Sequence, residues 1–383
     1  MQKYNISIAC AFGIESLVAD ELKALGYENL KLENGKVHLE GTLKDIATFN
    51  IRLRTADRVL IKIVEFEATS FDDLFDGVFS FEWYELLPEN ANIHVTGKSV
   101  KSKLFSVPDC QGIVKKAIIE KMKTKYKKSW FSEVGETFKI EVSLLKDVAT
   151  ITLDTTGSSL HKRGYRKDAG DAPLKETLAA SLIILSKWEP SRLLADPFCG
   201  SGTIAIEAAM IGKNIAPGIC RNFSAEAWSW FPQNIWEEVR EKAISEINDN
   251  EFRILASDIN GKVLQKAREN AQNANVEELI AFQKLDISEF SSKKRYGCII
   301  SNPPYGERIG SKEKVDFLYE ELGRLYRDLD TWSIFTLTSN LEFEKLFGKK
   351  AHKNRKLYNG NLLCYFYSHY GPLPDKLKYQ IND

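Results

Sequence analysis

The chain has 383 residues, no net formal charge, 43% hydrophobic and 28% charged residues, a globular composition whose length calls for two or three domains. No stretch approaches transmembrane length, and the apolar run from Asn5 to Phe12 is too short, and too soon followed by Glu15 and Asp20, for a signal peptide. Six scattered cysteines without a Cys-x-x-Cys and five separated histidines argue against a metal site, a disulfide framework or a Ser/His/Asp centre, and fit a reducing cytoplasm.

The predicted elements begin with Ile6–Phe12, which alternates like a strand. Ile14–Leu25 places Leu17, Val18, Leu22 and Leu25 on one helical side, and Gly26 closes it. Leu30–Leu32 and Val37–Leu39 flank Asn34-Gly35, a hairpin signal. Leu43–Leu53 is helical again, and Val59–Phe66 is a strand. The order β-α-β-β-α-β reads as a ferredoxin-like unit, expected over residues 1–68.

A second unit is expected over residues 69–155. Ile93–Val95 is a short strand. Cys110–Tyr126 is a helix with Ile113, Val114, Ile118 and Met122 on one side and lysines on the other. Phe138–Leu144 and Val148–Leu153 alternate as strands. Thr156-Gly157-Ser158-Ser159 is a turn, and Lys162-Arg163-Gly164-Tyr165-Arg166 is a basic connector in a linker over 156–172. Residues 1–90 hold nine Lys/Arg against sixteen Asp/Glu, whereas residues 91–130 hold ten lysines against Asp109 and Glu120, a local excess of +8. That block has two readings, a solvated helix face or a module that meets a polyanion.

Pro173 suits the first turn of the next helix, and a third domain is expected over 173–383. Strands at Leu193–Asp196, Arg253–Ser257, Ala281–Lys284, Cys298–Ser301 and Ser333–Thr338 alternate with helices at Thr203–Ile211, Gly261–Asn273 and Lys314–Leu325. This predicts an α/β doubly wound parallel sheet. Lys356–Asn359 and Leu362–His369 flank Asn359-Gly360-Asn361, an antiparallel terminal hairpin. That combination is the architecture of a Rossmann-like class I methyltransferase. Asn214 to Asn250 interrupts the wind as an inserted helical pair, with Trp228, Trp230, Phe231 and Trp236 packing it onto the domain.

Two motifs carry chemistry. Asp196-Pro197-Phe198-Cys199-Gly200-Ser201-Gly202-Thr203 ends one strand, and its glycines let the backbone turn sharply beside a ligand. It is not a P-loop, and a leading Asp repels phosphate. The amino-acid part of S-adenosylmethionine offers an ammonium to the acid and a carboxylate to the amides of the following helix. Asp258 ends the next strand, where a carboxylate can accept from ribose hydroxyls, and Asp286 follows the third, within reach of an adenine amine. Each acid taken singly also reads as a helix N-cap. Ser301-Asn302-Pro303-Pro304-Tyr305-Gly306 ends a fourth strand. The Asn302 side-chain oxygen and the Pro303 carbonyl are two acceptors for a planar amine. The paired prolines stiffen the loop, and Tyr305 offers a ring for stacking.

Leu160–Arg166, Ala172-Pro173-Leu174-Lys175-Glu176, Asp196–Thr203 and Asn302–Gly306 together resemble the THUMP-domain RNA methyltransferases, bacterial 23S ribosomal RNA guanine-N2 methyltransferases above all. The resemblance implies a ferredoxin-like domain, a THUMP α+β domain and a C-terminal class I methyltransferase using S-adenosyl-L-methionine, without the second methyltransferase fused on in some members. It implies catalytic roles for Asn302, Pro303, Pro304 and Tyr305. The implied cofactor contacts are Asp196, Phe198, Cys199, Gly200, Gly202, Thr203, Asp258, Ile259, Asp286 and Asn302. The basic block and the connector supply the candidate RNA contacts: Lys98, Lys101, Lys103, Lys115, Lys116, Lys123, Lys127, Lys128, Lys162, Arg163 and Arg166. The expected partner is 23S ribosomal RNA, naked or in an immature particle, with no membrane and no metal, in the cytoplasm. The residues themselves do not choose guanine over adenine. Ribosomal RNA, transfer RNA and DNA stay open as substrates, and so does a non-enzymatic RNA-binding assembly factor.

Overall fold

A computed structural model of the chain describes residues 2–166, 174–305 and 312–373. The expected helix start at Pro173, with Ala172 and Gly306, lies outside the described residues. Among those described, no helix is long and apolar enough to cross a membrane, and no group of three or more His, Cys, Asp or Glu is gathered as a metal would require.

The N-terminal part runs β1 (Tyr4–Cys10), α1 (Glu15–Ala24), β2 (Lys31–Glu33), β3 (Lys36–Gly41), α2 (Leu43–Arg52) and β4 (Ala56–Glu67). Gly35 turns the β2–β3 hairpin at φ +73°, and Thr42 and Asp45 cap α2 reciprocally. There follow α3 (Phe71–Phe79), β5 (Asn92–Val100), α4 (Val107–Tyr126), β6 (Thr137–Leu145) and β7 (Val148–Asp154). The sequence patterns treat these as two units, but the strands form one sheet in the order β2-β3-β1-β4-β7-β6-β5. Its join is β4, which pairs with β1 through Ile61↔Ile6 and with β7 through Leu60↔Asp154. A second difference is α3, which the periodicity did not announce. Ser70 and Asp73 form a capping box at its start, and Lys116 and Lys121 of α4 lie over the rings of Phe75 and Phe79.

The C-terminal part comprises α5 (Glu176–Ser186), β8 (Leu194–Asp196), α6 (Thr203–Gly212), α7 (Gln233–Ser245), β9 (Ile254–Asp258), α8 (Gly261–Asn273) and β10 (Ile280–Lys284). It continues with β11 (Cys298–Ser301), α9 (Lys312–Asp328), β12 (Ser333–Thr338), α10 (Phe343–Phe347), β13 (Lys353–Asn359) and β14 (Leu362–His369). The sheet order is β10-β9-β8-β11-β12-β14-β13, parallel up to β12 and antiparallel at the terminal hairpin. Strands β8, β11 and β12 are buried throughout, as expected for parallel strands covered on both faces. The order reverses between β8 and β11, so the loops at their carboxyl ends frame a crevice.

The stretch 214–250 holds one α-helix, α7, and a single 3-10 turn at Ser224–Ala227, not a helical pair. Its aromatics reach beyond the C-terminal domain. Trp228 stacks on Phe138 at 5.1 Å and donates to the Thr137 carbonyl, while Trp230 donates to the Leu86 carbonyl at 2.8 Å. Lys44–Glu238 and Arg52–Glu246 ion pairs add contacts between α2 and the insert, so it braces one half of the molecule against the other.

Candidate active site

Strand β8 delivers Asp196 to the edge of the sheet, where the chain must turn into α6. Gly200 and Gly202 make that turn at φ +51° and +85°. A Cβ on Gly202 would also sit 3.2 Å from that of Ala267 on α8, so glycine permits both the turn and the close helix packing. Gly202 is the N-cap of α6 and supplies no side-chain bond, which leaves the first amides of that helix uncapped by a side chain. The loop is tied to β9: Cys199 N donates to the Ser257 carbonyl at 2.9 Å, and Gly200 N donates to Asp258 Oδ2 at 3.0 Å.

These loops surround a cavity of about 980 Å³, large enough for a nucleoside with an amino-acid tail and a second base. Asp196, Phe198, Cys199, Gly200 and Thr203 line it from the first loop, whereas Gly202 does not line it. Asp258, Ile259 and Asp286 line it from the second and third. Asp258 Oδ1 accepts from Asn260 N, and Asp286 Oδ1 accepts from Ser288 N and Oγ at 2.9 and 2.7 Å, so local turn bonds hold both carboxylates in place. Asp196 is 1% exposed and accepts only a 3.2 Å bond from Phe198 N; burial pushes its carboxyl up to about 8, the backbone bond opposes the shift, and the nearby Asp258 adds to it. Burial likewise raises the Cys199 thiol well above its usual range, so this cysteine is a wall and not a nucleophile.

Strand β11 delivers Asn302, Pro303, Pro304 and Tyr305 to the same cavity. Asn302 Oδ1 is buried and has no hydrogen-bond partner among the described residues. A buried acceptor left alone is costly, so this oxygen is available to a donor from a ligand. Tyr305 is 7% exposed, and its hydroxyl accepts from Asn359 Nδ2 at 2.9 Å and from Cys364 Sγ at 3.7 Å. The terminal hairpin therefore fixes the ring at the cavity wall.

The sequence missed the contribution of α8. Lys262, Lys266, Glu269, Asn270 and Asn273 line the cavity as a polar stripe, and Asn270 Nδ2 donates to the Ser201 carbonyl at 3.0 Å. Their spacing of three and four was a visible signal of one helix side.

The basic candidates separate into groups. Lys98 pairs with Glu141, Lys115 with Glu133, Lys123 with Glu120 and Lys128 with Glu89, while Lys116 lies over Phe75. Lys101, Lys103, Lys127 and Lys162 are exposed. Arg163 is not a surface residue. It is 3% exposed, donates to the carbonyls of Leu160 and Arg54, and pairs with Glu207 of α6 at 3.4 Å. An RNA contact by Arg163 is thus ruled out by burial: it stitches the linker to both halves. Arg166 also turns inward, and lines the cofactor cavity.

A sheet with this strand order, an acid closing each of its first two parallel strands and an Asn-Pro-Pro-Tyr loop after the fourth defines a class I methyltransferase. The chain belongs to the RMKL-like methyltransferases: residues 163–368 match that domain family, residues 5–60 match the RlmL ferredoxin-like domain and residues 68–154 the THUMP domain. It is 48% identical over 381 residues to a candidate RNA methyltransferase of Bacillus subtilis, YpsC, covering 99% of each chain. It is 32% identical over 375 residues to the ribosomal RNA large subunit methyltransferase K/L of Legionella pneumophila, covering 95% of this chain and 52% of that one; the chain thus spans about half the length of its K/L relatives. The solved structure of SMU.472, a candidate methyltransferase complexed with S-adenosylhomocysteine, superposes with a TM-score of 0.92 at 43% identity, covering 98% of this chain and 100% of that one.

Proposed function

We propose that this protein transfers a methyl group from S-adenosylmethionine to the exocyclic N2 amine of a guanine in 23S ribosomal RNA, in the cytoplasm. The observation that carries the reading is the buried Asn302 Oδ1, without a partner among the described residues, in one cavity with Asp196, Asp258 and Asp286. S-adenosylmethionine supplies an electrophilic methyl group on a sulfonium. Asp196 and Asp258 offer carboxylates to the cationic and hydroxylated parts of that molecule. Asn302 Oδ1 and the Pro303 carbonyl accept from the two hydrogens of the target amine, which draws its lone pair out of conjugation. Tyr305 holds the base by its ring, and positioning supplies much of the acceleration.

The large-subunit reading draws on the K/L relatives named above, and the guanine choice on the resemblance carried above all by the Lys162–Arg166 connector. The N-terminal sheet favours structured RNA, because it gives the substrate a second anchor outside the cavity. Lys101 and Lys103 flank one end of α4 beside Phe105, which is 82% exposed, a combination suited to phosphates and an unstacked base. The target base must leave its stack, which costs less in naked or immature RNA. The test supplies labelled cofactor with deproteinised 23S RNA, transfer RNA and DNA, and separates the product nucleosides. N2-methylguanosine from 23S RNA is expected. N6-methyladenosine as sole product would overturn the guanine assignment. Transfer confined to transfer RNA or DNA would overturn the substrate, and no transfer at all would leave an assembly factor.

A further inference from the structure

We infer that Arg166 recognises the amino-acid carboxylate of the cofactor and so decides which adenosyl sulfur compound the cavity accepts; this rests on the cofactor reading above. In sequence Arg166 is the last cation of a basic connector, which reads as an RNA contact. In the structure its side chain is only 10% exposed and lines the cavity. Its Nη2 donates to Thr203 Oγ1 at 2.5 Å, which places the guanidinium beside the first residue of α6. Its Nη1 lies 3.4 Å from Glu176 Oε1, longer than a tight ionic hydrogen bond, and its Nε is buried without a partner among the described residues. Among those residues, a guanidinium with five donors is thus held in a nearly closed place with part of its capacity unused.

The second observation is the end of α6 that Arg166 touches. The helix spans ten residues, and its Gly202 N-cap offers no side-chain acceptor to the first amides. Uncapped amides and the positive end of the helix dipole favour an anion. Arg166 adds a full positive charge at that same end. Carboxylates line the cavity elsewhere, at Asp258 and Asp286 on the loops after β9 and β10, and α8 adds Lys262, Lys266 and Glu269. The start of α6 thus joins uncapped amides to a guanidinium, an anion-favouring corner in a cavity of mixed charge. A nucleoside carrying an α-amino acid places its carboxylate at that corner, and a nucleoside carrying only an amine has nothing to place there. Glu176, whose carboxyl burial raises, orients the guanidinium without closing it off.

The test compares S-adenosylmethionine with its decarboxylated analogue, which lacks only the carboxylate, by calorimetry on the full chain. Wild type is expected to prefer S-adenosylmethionine by about 10- to 100-fold, the range for a charged hydrogen-bonded group. Arg166→Ala should lose most of that preference by weakening the parent compound while leaving the analogue's affinity unchanged. Arg166→Gln, which keeps donors and removes the charge, serves the same purpose if the alanine variant does not fold. A variant that retains the wild-type preference overturns the inference, and so does one that weakens both compounds equally, because Arg166 would then act only on the shape of the cavity. Failure of wild type to bind either compound would instead sink the cofactor reading.

Discussion

The phenolic oxygen of Tyr305 and Nδ2 of Asn359 lie 2.9 Å apart, although 54 residues separate them in sequence. Tyr305 closes the candidate catalytic loop, and Asn359 is the last residue of β13. The same strand reaches the N-terminal half, where Arg355 donates to the Gly13 carbonyl at 2.7 Å and to Ser16 Oγ at 2.9 Å. The terminal hairpin thus ties the ring that would hold the base to the sheet that would hold the rest of the RNA.

If Tyr305 only stacked, Tyr305→Phe would be mild. The hydrogen bond argues otherwise, because the phenylalanine leaves Asn359 without this acceptor and frees the ring at the cavity wall. Either Tyr305→Phe or Asn359→Ala should lower kcat/KM by about 5- to 10-fold, as for one lost hydrogen bond of ~1 kcal/mol. The double variant should be little worse than either single one. Strictly multiplicative losses would show that the two residues act independently.

Asn302→Ala tests the acceptor itself. Its Oδ1 has no partner among the described residues, so removal should leave folding and cofactor affinity largely intact. Turnover at saturating RNA should fall by roughly 100-fold or more, comparable to removal of one preorganised polar group from a reacting centre. Near-native turnover would remove the amine pocket from this loop.

Asp196 gives a pH signature. Burial raises its carboxyl from the usual carboxylate range to about 8. A raised folded-state value means that its contribution to the cofactor-free protein is greatest below a pH of about 4 and is lost as pH climbs towards 8. A bound cation favours the carboxylate, so cofactor binding at pH 7 should release a proton from this group, and affinity should rise with pH up to about 8. Calorimetry in two buffers of different ionisation enthalpy measures that release. Asp196→Asn should release less than wild type, and equal release would mean that the carboxyl does not change its protonation on binding.

The fold was legible where a pattern is local. The alternation of Ile6, Ile8 and Cys10 and the leucine stripe of α1 define the first elements, and the glycines after Asp196 mark the cofactor turn. Helix α3 escaped because nine residues give a short period, although Ser70 and Asp73 spelled its cap. The joining of two units into one sheet through β4 was not legible, because register between Leu60 and Asp154 is set by packing over a long loop. Arg163 and Arg166 were misread for a related reason. A charge in a basic run looks exposed until its partner is known, and Glu207 and Glu176 lie on helices of the other domain.

Arg163 should therefore behave as a structural residue. Arg163→Ala would leave Glu207 buried, with the Tyr165 hydroxyl at 3.2 Å as its remaining hydrogen-bond partner among the described residues. Breaking a buried pair by removing one member costs about 3–5 kcal/mol, so the midpoint of urea unfolding should drop sharply. The salt dependence of RNA binding, measured below that midpoint, should not change. A stable variant with a reduced salt slope would return Arg163 to the RNA surface.

The exposed lysines give the last expectation. Helix α4 has twenty residues and is therefore about 30 Å long, so Lys101 and Lys103 before its start lie far from Lys127 and Lys128 at its end. The basic block is not one patch, and its middle is occupied by internal partners: Lys115 meets Glu133 and Lys123 meets Glu120. Such pairs reduce the charge available to a phosphate without removing it, whereas Lys101 and Lys103 are exposed. Reversal of Lys101 and Lys103 to Glu should weaken RNA binding and lower the slope of log affinity against log salt by about 2, one unit for each lost phosphate contact. Reversal of Lys115 and Lys123 should change the slope less, and neither pair should alter cofactor affinity, because none of the four lines the cavity. If the two reversals flatten the slope equally, the helix side binds RNA as a whole; if neither does, the lysines are a solvated face and the RNA anchor lies elsewhere on the sheet.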